Sequence, residues 1–366
     1  MKRLFREMAE LLAKRESFVT ATIIGKTGSG PRSDGSRMIV RADRRISGSV
    51  GGGRLEAEAL QLAAALFHTT RPAVQAFDLT GEDAAGTAMI CGGHGEILLD
   101  WVDGDDPGNR ALCERVVGTL ERGESGCLVT AFGTASGDTA PPRAQWFVER
   151  DGRVTGSPGA DPALLASLAA GSGRDALRVV TRAERTYVVE PIRHGGTVIV
   201  FGAGHVGQKL APLAESVGFR TIVLDDRAEF ASRELFAEPT RLVTLTSFEH
   251  WPELEIDEHT CLVIVTRGHL HDRSVLERTL RTNAGYVGMI GSVHKCDLVR
   301  RALLEQGFTR ADLERVHAPI GTDIGAETPE EIAVSIVGEL IDARARLERR
   351  RKLRGRPGGP GGPPQA

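Results

Sequence analysis

A chain of 366 residues has room for two or more domains with separate cores, and 41% hydrophobic with 26% charged residues is ordinary globular composition. The formal net charge of −3 gives no electrostatic reason to expect a nucleic-acid or membrane-surface partner. Five cysteines (Cys91, Cys113, Cys127, Cys261 and Cys296), an odd number with no CxxC pair, argue against a disulfide framework and a zinc cluster and for a cytoplasmic protein with reduced thiols.

The opening "MKRLFREMAELLAKRES" alternates charge with short apolar steps and predicts an amphipathic helix rather than a signal peptide. No apolar run approaches the roughly 18 residues that a membrane span needs. "SFVTATIIG" is rich in β-branched residues and predicts a strand, followed by a Gly/Ser/Pro loop at 26–36. "RMIVRAD" and "RISGSV" predict a hairpin. "GGGRLEAEALQLAAALF" (51–67) opens on three glycines and predicts a helix, with Glu56 and Glu58 in its early turns where the dipole favours acids. Helical and strand patterns alternate from 107 to about 190. The reading over 1–190 is one N-terminal mixed α/β domain.

From about 195 the pattern becomes a repeating strand–helix alternation, with apolar strands at 197–201, 220–224, 261–265 and 285–290. That predicts a C-terminal Rossmann-type doubly wound parallel sheet over 195–345, giving an α/β fold class overall. "TPEEIAVSIVGELIDARARLERR" closes it as a helix with a threonine cap, proline at the first position and arginines at the end. The basic run at 344–356 reads as a solvated helix end. The tail over 346–366, ending "RPGGPGGPPQA", is expected to be disordered.

Two groups of residues carry chemistry. Gly202, Gly204 and Gly207 form G-x-G-x-x-G directly after an apolar strand and opening a helix, the context of a dinucleotide fingerprint, with His205 among the candidate cofactor-binding residues. Asp225 follows at the end of the next strand, where a carboxylate bonds a ribose hydroxyl; it favours NAD, while Arg227 leaves NADP open. His269, His271 and Asp272 of "TRGHLHD" stand at a strand end as metal ligands, proton shuttles or helix caps. "YVGMIGS" (286–292) is a glycine-rich strand end, and "VHAPIGTDIGAETPEE" (316–331) places His317 before the last helix.

In the N-terminal half, three glycine-rich segments bring Arg32, Arg54, Glu56 and Cys91 into view. Gly51, Gly52 and Gly53 at a helix start form a backbone nest for an anion, with Arg54 as charge partner, or simply a tight strand-to-helix turn. Cys91, with Gly92 and Gly93, is a thiol in an open turn: a nucleophile, a ligand for an incoming group, or a small buried hydrophobe.

"GSGPRSDGSRMIV", "GSVGGGRLEAEAL" and "MICGGHGEILL" resemble the N-terminal domain of the XdhC/CoxI family of accessory proteins for molybdenum hydroxylases. "VIVFGAGHVGQKLAPLAESVGFRTIVLDDR", "VIVTRGHLHD", "YVGMIGS" and "HAPIGTDIGAETPEEIAVSIVGELI" resemble its Rossmann domain. The resemblance runs in order from about 17 to 342 and is weakest over 104–190. It departs at "GSVHKCD", where "GSRRK" is expected: Val293 and His294 weaken a basic contact and Lys295 keeps one.

The resemblance implies a chaperone that binds the molybdenum cofactor (molybdopterin), presents it to a cysteine desulfurase and passes it to a xanthine dehydrogenase-type apo-enzyme. It implies a homodimer as well. It makes Cys91 the candidate ligand for molybdenum or a transferable sulfur, a soft thiolate for a soft centre, and the Gly51–Gly53 turn with Arg54 the candidate phosphate holder. The alternative is an NAD(P)-dependent oxidoreductase using the Rossmann half, with His269, His271 or His317 as acid/base.

Overall fold

A computed structural model describes residues 1–28, 34–78, 93–133, 142–170 and 176–354. The chain divides into two compact units, Met1–Arg193 and His194–Ala366.

The first unit holds α1 (Lys2–Ala13), β1 (Phe18–Gly28), β2 (Arg37–Arg41), β3 (Ile46–Gly48), α2 (Gly53–Thr69), β4 (Ala73–Asp78) and β5 (Gly93–Val102). There follow α3 (Pro107–Glu121), β6 (Gly126–Gly133), β7 (Ala144–Glu149), β8 (Val154–Gly156), α4 (Pro162–Ala170), β9 (Arg178–Arg182) and β10 (Arg185–Ile192). The helix, strand and hairpin read from the first 69 residues are all present. The single domain predicted over 1–190 resolves into two five-stranded antiparallel sheets, ordered β3-β2-β1-β5-β4 and β8-β7-β6-β10-β9. These are one topology used twice, each sheet preceded by a helix and covered by another.

The packing repeats as well. Along β1, Val19, Ala21 and Ile23 face α2 and its Leu55, Ala59, Ala63 and Leu66. Along β6, Val129 and Ala131 face Leu165 and Leu168 of α4. Alternate residues point the other way, as strand geometry requires, and there α1 and α3 pack through Phe5, Met8, Leu112 and Val116. Each repeat leaves its third strand at a Gly-Ser pair: a Cβ on Gly48 would lie 2.4 Å from Arg37 O, and one on Gly156 2.1 Å from Gln145 O. Both glycines hold positive φ, 81° and 143°.

Between the sheets lies a polar layer. Arg37 of β2 donates to Thr22 Oγ1 at 2.8 Å and to Glu190 Oε2 of β10 at 2.5 Å. Arg143, just before β7, forks onto Asp100 of β5 at 2.8–3.2 Å and reaches Asn109 and Gln145. Each ion pair joins one sheet to the other, and Arg37 and Glu190 side chains are only 9% and 4% exposed.

The second unit is a six-stranded parallel sheet of β11 (Thr197–Phe201), β12 (Arg220–Asp225), β13 (Arg241–Thr244), β14 (Thr260–Ile264), β15 (Tyr286–Met289) and β16 (Val316–His317). Its order, β13-β12-β11-β14-β15-β16, is the Rossmann order 3-2-1-4-5-6. Between and after the strands run α5 (His205–Ser216), α6 (His269–Thr279), α7 (Val293–Glu305), α8 (Arg310–Glu314) and α9 (Pro329–Arg354). α6 and α7 cover one face through Val275, Leu276, Cys296 and Leu303. α5 and α9 cover the other through Leu210, Ala214, Ala333 and Ile336.

The predicted threonine cap of α9 forms: Thr328 Oγ1 accepts from Glu331 N, and Glu331 accepts from Thr328 N in return. The tail predicted from 346 is corrected in its first part, because α9 continues to Arg354. The rest of that tail lies outside the described residues. No helix among the described residues is long and apolar enough to cross a membrane.

Candidate functional site

The strand register of the first unit gathers the glycine-rich segments. Gly28 pairs with Gly93 and Asp78 with His94, so the segments leaving β1 and β4 and the one entering β5 share one end of the sheet. Gly48 pairs with Met38 at the start of β2, so the Gly51–Gly53 turn leaves toward that same end. Arg32, Cys91 and Gly92 lie outside the described residues; their flanking strands end on this rim.

The Gly51–Gly53 turn is formed as predicted, with positive φ at all three glycines. Its amides, however, already have an anion. Glu56 Oε1 accepts from Gly52 N at 3.0 Å, Val50 N at 3.2 Å and Ser49 Oγ at 2.6 Å. The Ser49 bond, with the Gly52, Val50 and Gly51 amides, holds the Glu56 carboxyl below its ordinary range against the opposing effect of burial. The nest expected to hold an external phosphate is thus filled in this structure by the protein's own carboxylate. Arg54 stays at the surface, paired at 2.6 Å with Glu58 one turn on, its side chain 54% exposed. A pair so solvated is weak and free to exchange.

The four described cysteines are unsuited to soft-ligand chemistry. Burial pushes the Cys113 and Cys261 thiols up to about 12 and Cys127 up to about 11, and raises Cys296. None of the four is a thiolate near neutral pH. Among the described residues no group of three or more His, Cys, Asp and Glu side chains could hold a metal ion.

In the second unit the fingerprint backbone is in place. A Cβ on Gly202 would meet Val265 O at 2.4 Å and one on Gly207 would meet Gly202 O at 2.2 Å, so both allow close approach of chain to chain. Gly204 caps α5 with nothing within 4 Å of its Cβ position, and His205 opens the helix exposed. Asp225 ends β12 as predicted but is fully buried. Its Oδ2 accepts from Ala203 N at 2.8 Å and Arg227 Nη2 at 3.0 Å, and its Oδ1 from Arg227 N and Nε at 3.0 and 2.9 Å.

Asp225 therefore holds the glycine turn and Arg227, and a ribose hydroxyl would have to displace Arg227 to reach it. The turn fits a nucleotide phosphate; the acid does not fit the ribose beside it. Arg227 itself lies over the Phe230 ring at 3.6 Å. Across the mouth, Arg267 forks onto Asp226 at 2.6 and 2.8 Å.

The second set of candidates is dispersed. His269 is the first residue of α6. Asp272, fully buried, accepts from Thr266 Oγ1 at 2.6 Å and from Lys295 Nζ, so the lysine expected to keep a basic contact is bonded within the chain. His271 packs its ring on Phe248 at 5.3 Å. His317 Nδ1 meets Glu339 Oε1 at 2.5 Å, and Glu339 Oε2 accepts from Tyr286 Oη and Gly321 N, both at 2.6 Å. Sequence reasoning did not anticipate this tie between the His317 loop and α9. Gly288 of "YVGMIGS" lies against Ile320 and the Tyr286 hydroxyl, so its glycine serves close packing.

A Rossmann unit joined to a duplicated two-sheet unit with a glycine-rich rim defines an unusual two-part α/β protein. Residues 198–340 match the family described as XdhC Rossmann domain, and residues 11–78 match the XdhC and CoxI family. The chain belongs to the XdhC and CoxI family. It is 27% identical over 344 residues to a probable xanthine dehydrogenase subunit from Bacillus subtilis (strain 168), covering 92% of this chain and 96% of that one. It is 25% identical over 289 residues to the molybdenum cofactor insertion chaperone PaoD of Escherichia coli (strain K12), covering 66% and 90%. Its fold is similar to the crystal structure of a xanthine dehydrogenase from Bacillus halodurans, with a TM-score of 0.73, 25% identity and coverage of 93% and 96%.

Proposed function

We propose that this protein takes the molybdenum cofactor as cargo, holds it for sulfuration by a cysteine desulfurase, and delivers it to a xanthine dehydrogenase-type apo-enzyme, acting in the cytoplasm as a homodimer. The observation that carries the reading is likeness to a molybdenum cofactor insertion chaperone over 90% of that protein's length. The end of the first sheet supports it, because the segments that carry Arg32, Arg54 and Cys91 all depart from that rim.

Cys91 supplies the thiolate for molybdenum or for a transferable sulfur. Its four companions, three buried and Cys127 half-buried, all with raised pKa, leave that role to it. Arg54 supplies the charge for the pterin phosphate, because its partner Glu58 is a solvated surface acid and the Val50 and Gly52 amides already serve Glu56. The dehydrogenase alternative is not favoured: Asp225 is turned away from any ribose by Arg227.

Delivery is tested directly. The protein loaded with molybdenum cofactor, mixed with a xanthine dehydrogenase-type apo-enzyme, is expected to restore xanthine oxidation to a higher level than the same amount of free cofactor does. Restoration no better than free cofactor overturns the delivery reading.

A further inference from the structure

At the carboxyl end of the second unit's sheet, one strand beyond the glycine turn, α6 and α7 diverge around an open pocket of about 580 Å³. The size is that of a small-molecule site. Gly268, Arg273, His294 and Lys295 line its polar side, and Leu298, Val299 and Ala302 its apolar wall. Three cationic or protonatable side chains therefore converge on one cavity. Their local partners are unequal. Lys295 is neutralised by the buried Asp272. Asp297, the nearest acid on α7, leans 3.7 Å toward Arg300. Arg273 is half-buried and His294 exposed, and neither has an acid partner among the described residues. α6 and α7 also both begin at this rim, capped at Gly268 and Ser292, so two helix amino ends add positive potential.

We propose that this pocket binds an organic phosphate of nucleotide size, its phosphate between Arg273 and His294 and its ring against Leu298, Val299 and Ala302. Arg273 is the principal phosphate ligand, since a guanidinium without an acid partner is suited to a forked bond with phosphate oxygens. Lys295 supports it from below, its ammonium held in place by Asp272 and Ile290 O. The residues that line it all belong to the second unit and include none of Gly202–Gly207, so its test is independent of the cargo reading.

Guanosine 5′-monophosphate is the probe, titrated by calorimetry into the full chain, with guanosine as the phosphate-free control. One molecule per chain is expected to bind, about tenfold or more tighter than guanosine. Arg273→Gln is expected to weaken binding about tenfold or more, and His294→Ala to weaken it less. Gly204→Asp, which places a carboxylate at the amino end of α5, tests the glycine turn as the rival phosphate site and is expected to leave the affinity for guanosine 5′-monophosphate at the wild-type value. Both pocket residues are solvent-reaching, so these variants keep the fold. Absence of binding, equal binding of guanosine, wild-type affinity in Arg273→Gln, or loss of binding in Gly204→Asp overturns the proposal.

Discussion

Replacing Arg37 by Met is expected to destabilise the first unit by about 3–5 kcal/mol in urea unfolding, the cost of stranding a buried charge. Arg37 and Glu190 sit between the two sheets at 9% and 4% exposure, and Glu190 Oε1 is already without a hydrogen-bond partner. Removing the guanidinium strands the carboxylate in the layer between the sheets, where Ile24, Leu98, Phe132 and Val188 are also buried. Glu190→Met alone should cost a similar amount, because Arg37 is then the stranded charge. The double variant Arg37→Met with Glu190→Met should recover most of the loss, since a buried ion pair and an apolar pair of like volume differ little. Single variants each costing under about 1 kcal/mol would show that the pair is solvated and that the two sheets are held together by packing alone.

Asp225→Asn is expected to lower the stability of the second unit by about 2–3 kcal/mol at neutral pH, through weakened charge-assisted bonds to Ala203 N and Arg227. The pH dependence follows from the carboxyl's position. Burial pushes the Asp225 pKa up, but the Arg227 side chain, the Ala203 and Arg227 amides and the Arg227 charge together outweigh it and leave it lowered. A carboxylate with a folded pKa below its unfolded value, about 3.9, stabilises the fold above that value. The stabilisation is lost as pH falls through the lowered folded value. The gap between wild type and Asp225→Asn should therefore be full above about pH 5 and close in acid. Unchanged stability together with loss of NAD binding would restore Asp225 to the ribose.

The Rossmann unit was largely legible in the sequence because buried parallel strands are written as unbroken β-branched runs such as "TVIVF" and "RTIVLD". β13, "RLVT", is a half-exposed edge strand, and β16 has two residues, too few to leave a pattern. The duplication in the first unit was hidden by its turns. "GSVGGGRLEAEAL" and "GSPGADPALLASL" stand at equivalent places, yet share little beyond the Gly-Ser pair that leaves the third strand. What repeats is the alternation of faces, and the polar residues on the inner faces, Thr22 with Arg37 and Thr130 with Gln145, blur it.

The candidate site was legible in its location and less so in its bonding. Register placed the glycine-rich segments on one rim. That Glu56 bends back onto Gly52, that Arg227 folds onto Asp225 and that Lys295 turns in to Asp272 depend on side-chain torsions. An acid in the first turn of a helix reads equally as a dipole partner or as a bond to its own amides. In each case a charged side chain in or beside a candidate site meets a partner in the chain. Arg54, paired with Glu58 at the surface, and Arg273 and His294 reach solvent.

The central claim is that the chain carries molybdenum cofactor through Cys91. Its most direct test is the molybdenum and pterin content of the purified protein after incubation with released cofactor, for wild type and for Cys91→Ala. The account predicts near-stoichiometric molybdenum and pterin on the wild type and loss of both in the variant. A wild-type protein that retains neither, or a variant that retains both in full, would contradict it.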